Sequence, residues 1–566
     1  MKKGKRVIST LIVLIMCLSL LAACGSNNSE GNTDNNASPS SSDNSSSNNT
    51  SSSSSAPATS SAPSSSSPSQ PQSDLTVLPP AEEDVKYADE IDVIVDNNAI
   101  VIIDPFIPAG NTPPTFWTFT MIYDTLVVRA GDGAYGPRLA TSWETSDAQT
   151  YLFHLRDDVT FHNGEKFTAD DIVFTIGKAV EAVGTTTNGI WSLIETVNVI
   201  DPYTIEFILN GVNVDFLDRL AQPIAGIVNE KAMNEDPDNG TWIGTGPWMV
   251  SEFATRDYTV LVRNDNYWGD LPLTKKLTLR YVPESSTKLM QLENGETDVC
   301  FSIDPADLPL VEADTDRFST FRTVYNNCHN IGFNMDHPIC GNYDFRMAVI
   351  SAINREEVAL AACGDYGVPE TEGTFCGYAT EFRNSSIPIV PYDLDAAKAY
   401  LEASPYNGET LEISCAIVEN ITAAEVIQQQ LAKIGITTTI NQMDPPALGA
   451  YTRYGESQAE IFVNIGGNTG SAASLRNIFY PGGSFNAASY NNPEVNDLLD
   501  LAATQFDVNA RRDTYMRIQE LIAQDPPRFT LFYLVCVVSA IKGVGGMKLA
   551  NDTPFFDLTY IYKIVD

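Results

Sequence analysis

The amino-acid sequence predicts a mixed α/β protein whose globular part divides into at least two domains. Of its 566 residues, 43% are hydrophobic and 10% aromatic, which supplies enough apolar surface for packed cores over most of the length. A single core stops growing at about 250–300 residues, so a chain of this length needs more than one. Strand-like and helix-like stretches alternate through the second half, which is typical of the mixed class.

The charge balance excludes several functions. The chain has 34 Lys and Arg against 72 Asp and Glu, a formal net charge of −38. A basic surface is what draws a protein to phosphate backbones or anionic lipid. We therefore expect no nucleic-acid partner and no electrostatic adhesion to membranes.

The N-terminal segment has the pattern of an export signal. A basic start precedes an apolar run over 7–23. This run is shorter than the about 20 apolar residues that a permanent transmembrane helix needs. The run ends in LAAC, which resembles the bacterial lipobox, in which the cysteine, here Cys24, receives diacylglycerol. We expect a signal peptide over 1–23 and a body held by lipid at the extracellular face of the cell membrane. An uncleaved helical anchor is the alternative.

The next segment has a composition that cannot fold. Residues 25–74 are Ser, Asn, Pro, Gly and Thr almost without interruption, so little apolar surface offsets the entropy of ordering. Fifty such residues span about 40 Å as a coil. We expect a tether over 24–85 that crosses a cell-wall layer, as in Gram-positive cells. An unselected low-complexity insert is the alternative.

Beyond the tether, apolar periodicity and caps predict the elements in order. Thr168 and Asp171 form a capping-box pattern that opens a helix through Val180, and Pro493 stands at the first turn of another helix. The predicted strands are 91–95, 99–103, 151–155, 197–200, 204–209, 258–263, 276–281, 411–417, 437–441, 460–465 and 530–538. The other predicted helices are 118–128, 285–294, 346–353, 394–403, 423–434 and 492–503.

Several sequence blocks in this body carry a family resemblance. They are LATSWE at 139–144, YLFHLRDDVTFHNGE at 151–165, FTADDIVF at 167–174, GTGPW at 244–248, RNDNYW at 263–268, LENGETD at 292–298, IGFN at 331–334, FRMAVISAINREE at 345–357 and YNNPEV at 490–495. Their order and approximate spacing resemble the oligopeptide, dipeptide and nickel type of ABC-transporter solute-binding protein, bacterial extracellular family 5. The blocks are scaffold features, so they identify a fold, and the function has to be argued from the cleft.

The resemblance implies a bilobed periplasmic-binding-protein-like fold of the large peptide-binding class (type II), with an accessory subdomain. Lobe I would comprise 86–128, 245–332 and 530–566, the accessory subdomain 129–244, and lobe II 333–529. Hinge strands would join the lobes, which close on a ligand. The implied ligand is a peptide or a related small polar solute, and the implied partners are an ABC permease and its ATPase subunits. The implied receptor is a monomer.

The resemblance also places candidate ligand-binding residues at the ends of the crossover elements. They are Asp104, Phe106, Trp117, Tyr123, Asn334, Asn464 and Asn468. Core packing is the alternative for Trp117, since aromatic side chains serve both roles. For Asn334 and Asn468 a capping or turn role is the alternative.

The cleft departs from the family pattern at one place. Peptide-binding relatives carry an Asp-Pro segment after the second crossover strand, whose aspartate pairs with the peptide amino terminus. The corresponding residues 464–474, NIGGNTGSAAS, contain no carboxylate. Burying an ammonium without a paired charge is costly. We therefore expect a peptide held elsewhere, or a neutral or polar solute bound by Asn, Thr and Ser groups.

Catalytic, cofactor and metal motifs are weak or missing. The GDGAYG at 131–136 matches a dinucleotide-binding pattern, but Pro137 follows and no helix is predicted to open there. His154, His162, His329 and His337 do not have metal-ligand spacing. We expect no enzyme activity, no cofactor and no resident metal. A receptor for a metal chelate, and an extracellular hydrolase or sensor on the same fold, are the alternative functions.

The nine cysteines leave two alternatives open. Removal of Cys17 with the signal and lipidation of Cys24 would leave seven, an odd number. An extracellular location permits disulfides, and Cys328 with Cys340 or Cys363 with Cys376 are close enough in sequence to pair. A set of thiols preserved in an anaerobic habitat is the other interpretation.

Overall fold

A computed structural model describes the residues of the globular body. They are 85–95, 99–110, 113–129, 135–183, 185–301, 303–304, 306–373, 377, 381–466, 471–549 and 556–565. The chain divides into two units, Met1–Ser69 and Gln70–Asp566, and all described residues belong to the second. The predicted signal peptide, Cys24 and nearly all of the predicted tether lie outside the described residues.

Helices and strands alternate along the described residues. The strands are β1 (Lys86–Tyr87), β2 (Glu90–Ile94), β3 (Val127–Arg129), β4 (Tyr135–Pro137), β5 (Ala140–Glu144), β6 (Thr150–Leu155), β7 (Ile194–Asp201), β8 (Thr204–Leu209), β9 (Trp248–Ala254), β10 (Tyr258–Arg263), β11 (Lys276–Arg280), β12 (Val299–Phe301), β13 (Phe318–Phe333), β14 (Gly367–Pro369), β15 (Thr410–Cys415), β16 (Thr437–Gln442), β17 (Ile461–Ile465), β18 (Arg528–Ile541), β19 (Val544–Gly545), β20 (Lys548–Leu549), β21 (Phe556–Asp557) and β22 (Tyr562–Val565). The helices are α1 (Pro113–Ile122), α2 (Ala169–Glu181), α3 (Thr186–Trp191), α4 (Phe216–Leu220), α5 (Glu230–Glu235), α6 (Ser285–Asn294), α7 (Leu308–Ala313), α8 (Tyr343–Ser351), α9 (Arg355–Cys363), α10 (Leu394–Ala403), α11 (Val418–Ala432), α12 (Pro445–Tyr451), α13 (Ser474–Phe479), α14 (Pro493–Ala502) and α15 (Val508–Gln524).

One long sheet runs through the body in the order β16-β15-β17-β13-β18-β12-β2-β11-β10-β9, with β14 paired to β18. At its centre the long strands β13 and β18 pair antiparallel, with irregularities between Val324 and Cys328 and between His329 and Asn330. Parallel pairs flank them on both sides, β15 with β17 and β2 with β12. A separate four-stranded sheet, β5-β6-β8-β7, lies within the predicted accessory subdomain.

Two large apolar cores lie at different ends of the central strands. Val538 and Ala540 of β18 belong to the first core, which also contains the interior of the four-stranded sheet. Phe529 and Leu531 of the same strand belong to the second core, which α8, α9 and α11 cover. Because β18 contributes side chains to both cores, its backbone connects the two packed parts of the protein.

Local signals explain the helix boundaries. The capping box at Thr168 and Asp171 is present at the start of α2. Gly295 ends α6 in the left-handed region at φ 71°, which glycine adopts without steric cost. No helix among the described residues combines the length and apolar character that a membrane crossing needs.

Two predicted elements are wrong in part. The predicted strand over 99–103 is absent from the sheet, because its carbonyls accept hydrogen bonds from elsewhere: Thr255 Oγ1 donates to Val101 O at 2.6 Å and Thr241 Oγ1 to Ile103 O at 2.7 Å. The predicted helix over 118–128 begins earlier and ends at Ile122, and its last residues belong to β3.

Candidate functional site

A polar face lies on the central strands, at the end where they contribute to the second core. We define it as Cys328 and Asn330 of β13, Asn464 of β17, and Arg528 and Thr530 of β18. Asn330 pairs in register with both Asn464 and Thr530, so their side chains share one side of the sheet. Because side chains alternate between the two sides of a strand, that of the neighbouring residue, Ile331, lies in the second core on the opposite side.

Hydrogen bonds hold this polar face in place. Thr530 Oγ1 donates to Asn330 Oδ1 at 3.2 Å, and Asn330 Nδ2 donates to the main-chain carbonyl of Cys328 at 2.7 Å. Arg528 Nη2 donates to Asn464 Oδ1 at the long distance of 3.4 Å. Asn330 is thus held by several partners, whereas Asn464 and the Arg528 guanidinium share one long bond.

Gly466 packs closely against the polar face. Its N–H donates to Cys328 O at 2.8 Å. A Cβ at this position would lie 2.9 Å from Asn330 Nδ2, 3.0 Å from Arg528 Nη2 and 3.0 Å from Cys328 Sγ. Any side chain would therefore displace these groups, so residue 466 has to be glycine for the three of them to pack against its backbone.

Arg528 is the charged group of the polar face. Its side chain is 4% exposed, and burial lowers the pKa of its guanidinium, because desolvation disfavours the charged form. Among the described residues no carboxylate forms an ion pair with it. A cation that is buried with so little compensation favours an anionic partner.

The seven predicted binding residues fall in different places. Asn464 is on the polar face, and Asn468 lies outside the described residues. Asn334 is buried against its own turn: Nδ2 donates to Ala459 O at 3.0 Å, and Oδ1 accepts from Asp336 N at 3.1 Å. These contacts favour the turn role for Asn334.

Trp117 packs in the first core. It is 1% exposed, and its ring centroid lies 4.7 Å from that of Phe301 and 5.2 Å from that of Phe556. Both neighbours are themselves in contact at 5.0 Å. This placement favours core packing over ligand stacking.

Asp104, Phe106 and Tyr123 lie together on the lobe I side. Asp104 Oδ1 accepts from the N–H of Phe106 at 2.7 Å, and burial raises the pKa of its carboxyl. Burial also raises the pKa of Tyr123, and the charge of Asp104 adds to that rise. The Tyr123 hydroxyl donates to Thr241 O, so Tyr123 supports the loop, while half-buried Asp104 and Phe106 remain candidates for ligand contact.

The histidines have separate local partners. His162 Nε2 lies 3.0 Å from Gly246 O, and His329 Nδ1 lies 2.7 Å from Asn420 Oδ1. No group of three His, Cys, Asp or Glu side chains in the described part of the chain is arranged to hold a metal ion. In the GDGAYG segment, residues 131–134 lie outside the described residues. Gly136 belongs to β4, which pairs with β3.

The cysteines in the described part of the chain are buried thiols. They are Cys300, Cys328, Cys340, Cys363, Cys415 and Cys536. A disulfide between Cys328 and Cys340 is therefore wrong for this structure. Cys363 is a thiol too, and its suggested partner Cys376 lies outside the described residues.

Sequence reasoning missed Arg528, Asn330 and Thr530. The predicted strand begins at Thr530, whereas β18 begins two residues earlier, at Arg528. The available signal was a single charge directly after Pro526 and Pro527 and before ten largely apolar residues. Arg528 comes close to Asn464 only because β18 and β17 both pair in register with β13.

Comparisons with known proteins identify the class of protein to which this fold belongs. The family profile described as "Bacterial extracellular solute-binding proteins, family 5 Middle" matches residues 134–486. The nickel-binding periplasmic protein of Escherichia coli (strain K12) is 28% identical over 386 residues, covering 63% of this chain and 72% of that protein. The dipeptide-binding protein of the same organism is 25% identical over 486 residues, covering 78% and 90%.

A solved structure shows the same fold. The ABC transporter substrate binding protein CtaP from Listeria monocytogenes superposes with a TM-score of 0.74 at 24% identity, covering 84% of this chain and 100% of that one. The predicted bilobed periplasmic-binding-protein-like fold is thereby confirmed. Because the family profile spans more than half of the sequence, the chain belongs to the bacterial extracellular solute-binding proteins of family 5.

Proposed function

We propose that this protein is the lipid-anchored receptor of an ABC importer, which captures a peptide or a related polar solute between its two lobes and delivers it to the permease. The observation that carries the proposal is the polar face on the central strands, whose side chains are brought together by the register of β13 with β17 and β18. Proteins of this family are solute-binding transport components, so binding without turnover is the expected activity.

The proposed ligand site lies between two groups of residues. Half-buried Asp104 and Phe106 would contact the solute from lobe I, and Asn464 with Asn468 from lobe II. Asn and Thr side chains supply both donors and acceptors, so they suit a polar main chain or a hydroxylated solute. The absence of a carboxylate over 464–474 argues against an anchor for a free amino terminus there.

Cys24 is proposed as the lipid attachment site, with 24–85 as the tether that carries the body away from the membrane. Metabolic labelling of producing cells with a tagged palmitate tests this: the label should enter the full-length protein and be lost in Cys24→Ser. A labelled Cys24→Ser variant would contradict the anchor.

Native mass spectrometry of the gently purified protein tests the receptor function. A small molecule retained at one per chain supports a receptor. Calorimetric titration with free and N-acetylated peptides then tests the ligand class, since a strong requirement for the free amine would contradict the argument from residues 464–474. Turnover of a bound candidate would instead favour the hydrolase alternative.

A metal chelate is the second candidate ligand, because a nickel-binding periplasmic protein is among the relatives. A chelate brings its own metal ligands, so it needs polar and charged contacts more than a preformed metal site. The same mass spectra distinguish the candidates, because a chelate adds a metal isotope pattern to the retained mass.

A further inference from the structure

A small cavity lies in the predicted lobe II, beside the start of β18. Its volume is about 50 Å³, which leaves room for about four water molecules. Its walls come from α8, the start of α9, the segment from α15 to β18, and two short stretches, 372–373 and 387–390. All lining residues lie between Met347 and Thr530 in the sequence, and the cavity shares only Thr530 with the polar face. We call this space the lobe II cavity.

Arg355, the first residue of α9, is the charged donor in the wall of this cavity. It is 8% exposed, and its Nε and Nη1 donate to Thr530 O at 3.1 Å and to Val390 O at 2.9 Å. A guanidinium has five N–H donors, so three of them have no acceptor among the described residues. The equally buried Arg346 is instead paired with a carboxylate, that of Asp525. The remaining donors of Arg355 are therefore available to an anionic group in the cavity.

Glu372 supplies an acceptor in the wall of the same cavity. Its Oε2 accepts from Arg383 Nε at 2.9 Å, whereas none of the described residues donates to its Oε1. The side chain is 33% exposed, so a small molecule can reach it. Because each carboxylate oxygen can accept hydrogen bonds, Oε1 remains available to a cationic donor.

Most of the remaining wall is apolar, with Met347, Ile387, Pro388 and Phe529 among its side chains. Apolar surroundings strengthen a hydrogen bond between charged groups, because they exclude competing water. A ligand with only a carboxylate would bring a second negative charge beside Glu372, and a ligand with only an ammonium group would bring a second positive charge beside Arg355. A small molecule that carries both charges avoids both conflicts.

We propose that the lobe II cavity binds a small α-amino acid of the size of glycine or alanine, whose carboxylate accepts from Arg355 and whose ammonium group donates to Glu372. The planar guanidinium suits a carboxylate, since two of its N–H groups can bond the two oxygens in parallel. This site is separate from the ligand site between the lobes, and the inference does not depend on the proposed receptor function.

Calorimetric titration of the purified full chain tests whether both charges are needed. Alanine is compared with propionate, which lacks the ammonium group, and with alaninamide, which lacks the carboxylate. Glycine is compared in the same way with acetate and glycinamide. We expect at least one of the two amino acids to bind at one per chain, about tenfold or more tightly than both of its derivatives, because each derivative loses a hydrogen bond between charged groups.

Variants place the binding in the cavity. Ala523 lines the cavity from the last turn of α15, so Ala523→Leu should fill the space and abolish amino-acid binding. The matched control is Ala432→Leu at the exposed end of α11, which should leave binding unchanged. Glu372→Gln keeps the shape of the side chain and removes its charge, so it should weaken binding of the amino acid and leave that of its ammonium-free derivative unchanged or stronger.

Four results would overturn the proposal. They are binding of neither amino acid, equal affinity for an amino acid and either of its derivatives, unchanged amino-acid affinity in a folded Ala523→Leu, and equal losses in Ala523→Leu and Ala432→Leu. The melting temperature of each variant shows whether it is folded. The titrations of the wild-type protein decide the question even where a variant does not fold, because the charge requirement is measured without any substitution.

Discussion

Asp124 is a buried carboxylate beside the first core that accepts four side-chain hydrogen bonds. Its Oδ1 accepts from Arg138 Nε at 2.6 Å and from the Tyr267 hydroxyl at 3.2 Å. Its Oδ2 accepts from Trp268 Nε1 at 2.9 Å and from Thr245 Oγ1 at 3.1 Å. Because these donors come from distant parts of the chain, one buried side chain ties the loop between α1 and β3 to three other loops.

Replacing this carboxylate should destabilise the fold. Asp124→Asn removes the charge that compensates Arg138 and turns one acceptor into a donor, so we expect a loss of about 3 kcal/mol in the free energy of unfolding. Urea denaturation measures it. The matched control is Asp158→Asn, an exposed partner of Arg156, where the loss should stay below about 1 kcal/mol. Equal losses in the two variants would contradict the role of Asp124.

The buried thiols lead to a second prediction at this scale. Burial raises the pKa of Cys300 and Cys363 to about 12 and that of Cys415 to about 11, and the thiolate is the reactive form. A thiol reagent should therefore leave the six described cysteines unmodified in the native protein at pH 7. After unfolding in urea without reductant all six should react. A deficit of two in the unfolded protein would reveal a disulfide among them.

Single residues mark the limit of sequence reasoning at this site. Asn464 was predicted to bind the ligand because it lies at the end of a crossover element. In the structure its neighbour is the charged Arg528, which no sequence pattern predicted. The contact between Asn464 and Arg528 joins positions 64 residues apart in the chain through the register of three strands. A shift of one residue would turn Arg528 to the opposite side of the sheet.

At the scale of elements, local signals gave the best predictions. The helices over Ser285–Asn294 and Leu394–Ala403 begin and end where the sequence placed them, because caps and turns bound an apolar stripe. The apolar stretch over 99–103 had the composition of a strand, but side-chain hydroxyls from distant residues bond its carbonyls instead of a neighbouring strand. Hydrogen bonds from residues so distant in the sequence cannot be predicted from the local pattern of apolar residues.

His329 connects a central strand to a helix. On β13 it stacks against Phe532 with ring centroids 4.5 Å apart, and its Nδ1 lies 2.7 Å from Asn420 Oδ1 in the first turn of α11. Burial lowers the pKa of His329, because the charged imidazolium is poorly solvated there. The neutral ring is therefore part of the packing between the polar face and its supporting helix.

Acid should weaken this connection. Since the pKa of His329 is lower in the folded protein than in the unfolded chain, the unfolded chain binds the proton first, and stability falls as the pH drops below about 6.5. His329→Gln keeps a polar amide but cannot take up the proton. We expect the wild-type advantage over His329→Gln at pH 7.5 to shrink at pH 5.5 in paired urea titrations. A constant difference between the two proteins would contradict a buried neutral ring.

At the scale of the whole molecule, the predicted accessory subdomain and lobe II are in direct contact. The N–H of Val214 donates to Ala503 O at 3.2 Å. Nearby, burial raises the pKa of Asp215 and of Glu381, and in both cases the charge of Arg511 on α15 opposes the rise. The charge of Arg511 thus compensates one carboxylate from each side of the contact.

Removing that cation should favour separation of the lobes. In Arg511→Ala the half-buried carboxylates of Asp215 and Glu381 lose their largest compensating charge and keep a smaller one from Arg129, so the contact loses stability at pH 7. Small-angle X-ray scattering of the ligand-free protein should report a larger radius of gyration than in the wild type. The control is Arg517→Ala on the same helix, an exposed arginine whose partners Glu494 and Glu520 both lie in lobe II, and it should leave the radius unchanged.

The pH dependence gives that experiment its second test. Because both pKa values are raised in the closed arrangement, protons bind there more readily than in the separated one, and lower pH stabilises closure. The excess radius of Arg511→Ala should therefore diminish between pH 7 and pH 5, as the two carboxyls become neutral and no longer repel. If the difference in radius of gyration grows on acidification, the opening results from lost packing of the arginine side chain. If Arg511→Ala and the wild type have equal radii at pH 7, the cation does not hold the lobes together.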